Sequence, residues 1–86
     1  MFLPEIPPGE KVVVVAINTG QELLGRLMGM GVFVGTKVEV FRGGPDQFGP
    51  LLIGVGQTRI ALGRDVAVFI EVGRQQTADG RKEQDQ

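Results

Sequence analysis

Residues 23–36 decide the fold and read LLGRLMGMGVFVGT. The first half of this stretch places Leu23, Leu27 and Met30 at positions i, i+4 and i+7, which lie on one face of an α-helix. We expect the helix to end at Gly31, because glycine has no Cβ and adopts the left-handed backbone of a C-terminal cap without strain. The stretch therefore predicts a short helix that passes through a glycine turn into a strand.

Strand-forming segments lie on both sides of this helix. Five segments combine β-branched residues with either an alternation of apolar and polar positions or a continuous apolar run. Glycine and proline are frequent between them, and Gly56-Gln57 suits a two-residue hairpin turn with glycine first. The pattern predicts a mainly β fold, a small SH3-like barrel of about five strands with one short helix between strands 1 and 2. The predicted strands are residues 11–17, 37–42, 51–55, 58–62 and 67–72.

The first predicted strand, residues 11–17, reads KVVVVAI and is apolar on both faces. Strands with this composition are usually buried on both sides. We therefore expect the barrel core to cover one face of the strand and an element packed outside the barrel to cover the other.

The chain is long enough for one domain, since it has 86 residues. Residues 73–86 contain almost no apolar side chain and carry mixed charge. Such a segment cannot bury enough surface to offset the entropy lost on ordering. The sequence predicts an SH3-like domain over residues 1–72 and a disordered charged tail over residues 73–86.

The composition supplies few groups for catalysis or metal binding. The chain has no cysteine and no histidine, which removes thiolate chemistry, the commonest general base and the commonest metal ligand. The carboxylates are scattered, and we interpret each as a solvated surface charge. The segment GVFVGTK at residues 31–37 is no Walker loop, which needs four residues between its glycines and lysine before threonine. We predict no catalytic residue, no cofactor and no metal ligand.

Charge and hydropathy restrict the partners and the location of the protein. The formal net charge is -1, which gives no electrostatic footprint for nucleic acid or an anionic membrane. No apolar run approaches the roughly 20 residues that a membrane helix needs, and the N-terminus lacks the pattern of a signal peptide. We expect a cytoplasmic protein with no membrane insertion and no nucleic-acid partner.

Three apolar side chains are candidates for docking on a partner protein. Leu24 and Met28 form a second i, i+4 pair on the helix, next to the face that carries Leu23 and Leu27. Either the core takes this pair as well, or one of the two stays exposed as a docking patch, for which methionine is suited by its flexibility. Phe48 lies in the turn-rich segment 43–50 and either anchors a partner or folds over the barrel mouth.

Several blocks of the chain resemble those of the FeoA family, small cytoplasmic SH3-like proteins of bacterial ferrous-iron transport. The most specific block is RLMGMGV at residues 26–32, followed by GTKV at residues 35–38. Weaker matches are PGE at residues 8–10, GPL at residues 49–51 and IAL at residues 60–62. The resemblance covers about residues 3–72 and implies an accessory role. The implied partner is the large membrane permease for ferrous iron, whose cytoplasmic part carries a GTP-binding domain.

Two other functions remain open at this point. The same fold occurs as the C-terminal domain of iron-dependent transcriptional repressors, so a metal-sensing regulatory domain is the main alternative that the resemblance implies. An RNA-binding small barrel is disfavoured by the near-neutral charge and by only five phenylalanines as aromatic residues. An exposed edge strand in an open barrel can pair with another copy of the chain, so self-association as a homo-oligomer also remains open.

Overall fold

The computed structural model describes residues 1–74, in which five strands form one antiparallel sheet in the order β4-β3-β2-β1-β5. A mainly β fold with one helix between strands 1 and 2 is therefore confirmed. Four of the five strands have the bounds that the sequence predicts. After a short 3₁₀ turn at Leu3–Glu5, the elements are β1 Lys11–Ile17, α1 Gln21–Gly29, β2 Lys37–Arg42, β3 Leu51–Val55, β4 Thr58–Leu62, α2 Arg64–Ala67 and β5 Ile70–Arg74.

The two edges of the sheet differ in how they are covered. At one edge, Phe2 pairs with Glu71 of β5, and the Val72 N–H donates a 2.7 Å hydrogen bond to the Met1 carbonyl. The N-terminus therefore covers part of the outer side of β5. At the other edge, β4 pairs with β3 and with no other strand of the described residues.

The hairpin between β3 and β4 has the predicted turn. Val55 lies opposite Thr58, so Gly56 and Gln57 are the two turn residues. Gly56 has a φ of 61°, a backbone conformation that disfavours residues with a Cβ.

The core consists of apolar side chains from one face of every strand, together with Leu27 of α1, Val32 after it, Ala67 of α2, and Leu3 and Ile6 of the N-terminal segment. Val12 and Val14 of β1 are buried in this core, whereas Val15 is 49% exposed. The prediction that β1 is covered on both faces is therefore wrong. The reason is that Leu27 joins the same core as Val12 and Val14, so α1 does not cover the outer face of the sheet.

The C-terminal end of α1 explains a second difference from the prediction. Leu27 is fully buried and Leu23 packs partly against the core, but Met30 is 41% exposed. Met30 is the C-cap residue, beyond the last regular turn, so the spacing rule for a helix face no longer places its side chain. Gly31 has a φ of 90°, which confirms the predicted left-handed turn.

The last strand begins later and ends later than predicted. Arg64–Ala67 forms the short helix α2, in which Ala67 is fully buried. β5 then continues to Arg74, whose guanidinium lies 3.2 Å from the Glu10 carboxylate. The first two residues of the predicted tail therefore belong to the sheet, and the remainder, residues 75–86, lies outside the described residues.

We expect Leu27→Ala to lower the free energy of unfolding by about 2–5 kcal/mol, because truncating a fully buried leucine leaves a cavity in a small core. Met28→Ala, on the neighbouring exposed position, should change it by less than about 0.5 kcal/mol. Urea denaturation of both variants measures the difference. Equal destabilisation by the two substitutions would contradict the placement of α1.

Candidate functional site

A group of exposed apolar side chains surrounds the C-terminal end of α1. Met28 is 53% exposed, Met30 41%, Phe33 47% and Val34 60%. These four residues, which we call the helix-end patch, lie within one short stretch of the chain. Soluble proteins usually expose large apolar side chains singly, so a group of them within a few residues of one another is a candidate interaction site.

The turn after α1 fixes the direction of these side chains. Val32 is fully buried, and its N–H donates a 2.9 Å hydrogen bond to the Leu27 carbonyl, which returns the chain to the core directly after Gly31. Phe33 follows Val32 immediately and therefore points outward. The Thr36 hydroxyl donates to the Gly31 carbonyl at 3.2 Å and accepts from the Phe33 N–H at 3.2 Å. One side chain thus closes the loop that presents the patch.

The same loop is joined to the sheet by its backbone. The Gly35 N–H donates to the Val14 carbonyl at 2.8 Å, and the Val14 N–H donates to the Thr36 carbonyl at 2.9 Å. These bonds bring the loop alongside β1, next to the exposed Val15. The helix-end patch is therefore attached to β1, an inner strand of the sheet, and is held by backbone hydrogen bonds rather than by packing alone.

The structure separates the three predicted docking residues into two places. Leu24 is half-buried and Met28 is exposed, both on α1. Phe48 is 96% exposed, so it does not fold over the barrel mouth. Phe48 precedes the first residue of β3, whereas Gly31, at the end of the helix, lies against Val55 at the last residue of β3. Phe48 and the helix-end patch therefore lie towards opposite ends of β3.

The loop that carries Phe48 is connected to α2. The Arg64 Nε donates a 2.9 Å hydrogen bond to the carbonyl of Gly49, the residue after Phe48. A second nitrogen of the same guanidinium, Nη2, is buried without a hydrogen-bond partner among residues 1–74. Arg64 therefore holds one side of a loop whose aromatic side chain is almost fully in solvent.

Phe33 and Val34 are members of the patch that the sequence-based reasoning missed. The sequence places Val32, Phe33 and Val34 in a loop from Gly31 to Gly35 that leads into the next strand, but it assigns none of them to a docking surface. The signal that could have found them is their position between two glycines, Gly31 and Gly35, both of which have positive φ. Such a segment is a loop, and a loop of three apolar residues on a small core exposes some of them.

The described residues offer no evident metal centre. No group of three or more Asp or Glu side chains within residues 1–74 is arranged to hold a metal ion. Within the same part of the chain, no helix is long and apolar enough to cross a membrane.

Comparison with known proteins identifies a family and several relatives of this chain. The family model of the FeoA domain matches residues 1–74. The chain is 39% identical over 64 residues to a protein of Methanocaldococcus jannaschii provisionally named Fe(2+) transport protein A, and the match covers 74% of each chain.

Two solved structures share the fold at clear sequence similarity. One is the crystal structure of an iron uptake regulatory protein, FeoA, at 35% identity and a TM-score of 0.73, covering 84% of this chain and 96% of that one. The other is Stenotrophomonas maltophilia FeoA complexed with zinc, a prokaryotic SH3 domain protein, at 32% identity and a TM-score of 0.74, covering 85% of this chain and 89% of that one. The predicted SH3-like barrel is thereby confirmed, and the chain belongs to the FeoA family.

Proposed function

We propose that this chain is a cytoplasmic accessory protein of ferrous-iron transport that docks on the cytoplasmic GTP-binding part of a membrane permease for ferrous iron. The observation that carries the proposal is the helix-end patch, four exposed apolar side chains next to a glycine-capped helix. The names of the relatives support the pathway, since they refer to Fe(2+) transport and to iron uptake.

The chemistry of the patch fits a protein partner. Two of its members are methionines, whose flexible thioether side chains adapt to a partner surface. Phe33 supplies a rigid aromatic anchor of the kind that is enriched at the centre of interfaces. Leu24 is half-buried on the flank of α1 and extends the apolar surface along the helix. Removing these side chains from water would drive the association.

Phe48 provides a second contact at a distance from the patch. β3 has five residues and spans roughly 16 Å at about 3.3 Å per residue. Because Phe48 and the patch lie towards opposite ends of this strand, a partner that covers both must extend over at least that length. We therefore assign the main docking contact to the patch and a peripheral one to Phe48.

We expect Met28→Asp to weaken docking on the permease's cytoplasmic GTP-binding region by at least about tenfold, because it places a charge in the apolar contact. The substitution should leave the thermal midpoint nearly unchanged, since Met28 is 53% exposed. Calorimetric titration with the purified cytoplasmic region measures the affinity. The matched control is Val68→Asp, at a position that is 49% exposed and follows α2. Unchanged affinity of a folded Met28→Asp protein would refute the assignment.

Leu24→Asp and Phe48→Asp test how much Leu24 and Phe48 contribute to docking beside Met28. Leu24→Asp should weaken docking while the protein remains folded, and loss of the fold would instead place Leu24 in the core. Phe48→Asp should have a smaller effect than Met28→Asp. If the chain alone binds Fe²⁺ tightly and stoichiometrically in the same calorimeter but does not bind the permease, the metal-sensing alternative is correct.

We expect Thr36→Val to weaken docking by roughly threefold to tenfold, because it removes the two hydrogen bonds that close the loop carrying Phe33 and Val34. Amide hydrogen exchange at Phe33 should accelerate by a similar factor. Thr58→Val is the control, since Thr58 is exposed on β4 and its hydroxyl makes no hydrogen bond among residues 1–74. If both variants exchange and bind alike, the Thr36 hydroxyl does not order the patch.

A further inference from the structure

The outer face of the sheet, opposite the core, contains a groove that has no part in the proposed docking. Its volume is about 480 Å³, within the range typical of binding sites. The groove crosses β1, β2, β3 and β4, and we call it the Phe41 groove. It is lined by Lys11, Lys37, Glu39, Phe41, Gly54 and Arg59, with residues of the β3–β4 turn at one end.

A β-bulge and a glycine shape this groove. The register between β2 and β3 shifts between Val40 and Arg42, so Phe41 is the extra residue of a bulge. The Phe41 ring leans over β3 at Gly54, where a Cβ would lie only 2.6 Å from the ring carbon Cε2. Glycine at this position is therefore what allows the ring to lie so close to the backbone of β3.

Arg59 is held beside the ring. Its guanidinium carbon lies 4.4 Å from the centroid of the Phe41 ring, a cation–π contact. Arg59 lies directly opposite Gly54 in the β3–β4 pair. No carboxylate within residues 1–74 forms an ion pair with Arg59, so its charge is positioned but not neutralised.

The groove has an excess of positive charge. Lys11, Lys37 and Arg59 line it together with one carboxylate, that of Glu39. Lys11 lies opposite Glu39 on the neighbouring strand, yet the two side chains are not within ion-pair distance. The groove thus carries a local excess of two positive charges on a chain whose formal net charge is -1.

We propose that the Phe41 groove binds an extended acidic segment of a partner protein, with a carboxylate on Arg59 as the main contact. Lys11 and Arg59 are on β1 and β4, three strand spacings or roughly 14 Å apart. An extended segment covers this distance in about four residues, so two carboxylates separated by three residues face the same side and reach both cations. The middle of the segment passes Glu39 and is uncharged, and Lys37, two residues from Glu39 on β2, offsets that carboxylate.

Two features favour an acidic peptide over a nucleic acid. Glu39 lies between the cations and would repel a continuous phosphate backbone. The groove offers one aromatic ring, and Arg59 already occupies one face of it, which leaves no free platform for successive bases. An acidic peptide with two separated carboxylates can bind through the two separated cations, Lys11 and Arg59, alone.

Titration of the ¹⁵N-labelled full chain with a synthetic Ser/Thr peptide containing two glutamates separated by three residues tests the proposal. We expect amide shifts at Phe41, Gly54 and Arg59, and affinity that decreases as salt is added. The same peptide with glutamine in place of glutamate should bind at least about tenfold more weakly. Absence of shifts with the acidic peptide, or equal shifts with the glutamine peptide, would overturn the proposal.

Three charge variants test whether the positive charge of the groove binds the acidic peptide. Arg59→Gln should weaken binding of the acidic peptide by about tenfold, and Glu39→Gln should strengthen it by about twofold to fivefold. Arg26→Gln, which removes the same charge from the exposed face of α1, is the matched control and should bind as the original chain does. An Arg59→Gln variant that binds equally well, or tighter binding of a single-stranded RNA oligonucleotide or of inorganic phosphate than of the peptide, would show that the groove serves another ligand.

The groove and the helix-end patch share no residue, so the two proposals can fail separately. Met28→Asp should leave binding of the acidic peptide unchanged. Arg59→Gln should leave permease docking through the helix-end patch unchanged. A loss of peptide binding in Met28→Asp would contradict the separation of the two surfaces.

Discussion

The hydrogen bond from the Val32 N–H to the Leu27 carbonyl determines how the small core and the exposed surface are divided. It joins the last buried residue of α1 to the first buried residue after it, across a turn in which Gly31 has a φ of 90°. Since both ends of this turn are fixed in the core, the residues inside and directly after it must lie at the surface. Met30, Phe33 and Val34 are exposed for this reason, although all three are large and apolar.

The location of the core on one face of the sheet has a second consequence. Because α1 contributes Leu27 to the same core that the strands face, no helix or strand within residues 1–74 covers the opposite side of the sheet. That side carries charged residues from β1, β2 and β4 together with the bulged Phe41. The molecule therefore offers two surfaces of different character, one apolar at the helix end and one basic on the sheet.

The sequence was sufficient for most of the fold. Alternation in residues 37–42 predicted β2 with the bounds that the structure has, because the side-chain period of a strand is visible in the chain itself. Periodicity could not tell what covers the outer face of β1, since that depends on where α1 packs. Periodicity also placed Met30 on the buried face of the helix. Met30 is exposed because the helical spacing does not extend to the C-cap residue. The late start of β5 was missed because α2 is only one turn long.

The candidate sites were harder to predict from the sequence than the fold. The apolar stripe on the helix indicated Met28, but the contribution of Phe33 and Val34 depends on the hydrogen bonds of Thr36. The Phe41 groove depends on the register that places Gly54 between Glu39 and Arg59, and no local pattern in the sequence shows that register.

The most direct test of the account is hydrogen–deuterium exchange of the chain with and without the permease's cytoplasmic GTP-binding region. The account predicts that binding slows exchange in residues 28–36, where the loop amides of the patch lie, and that exchange in α2 is unchanged. Protection confined to α2 and the 3₁₀ turn, with residues 28–36 unaffected at saturating partner, would contradict the assignment of the helix end as the docking surface.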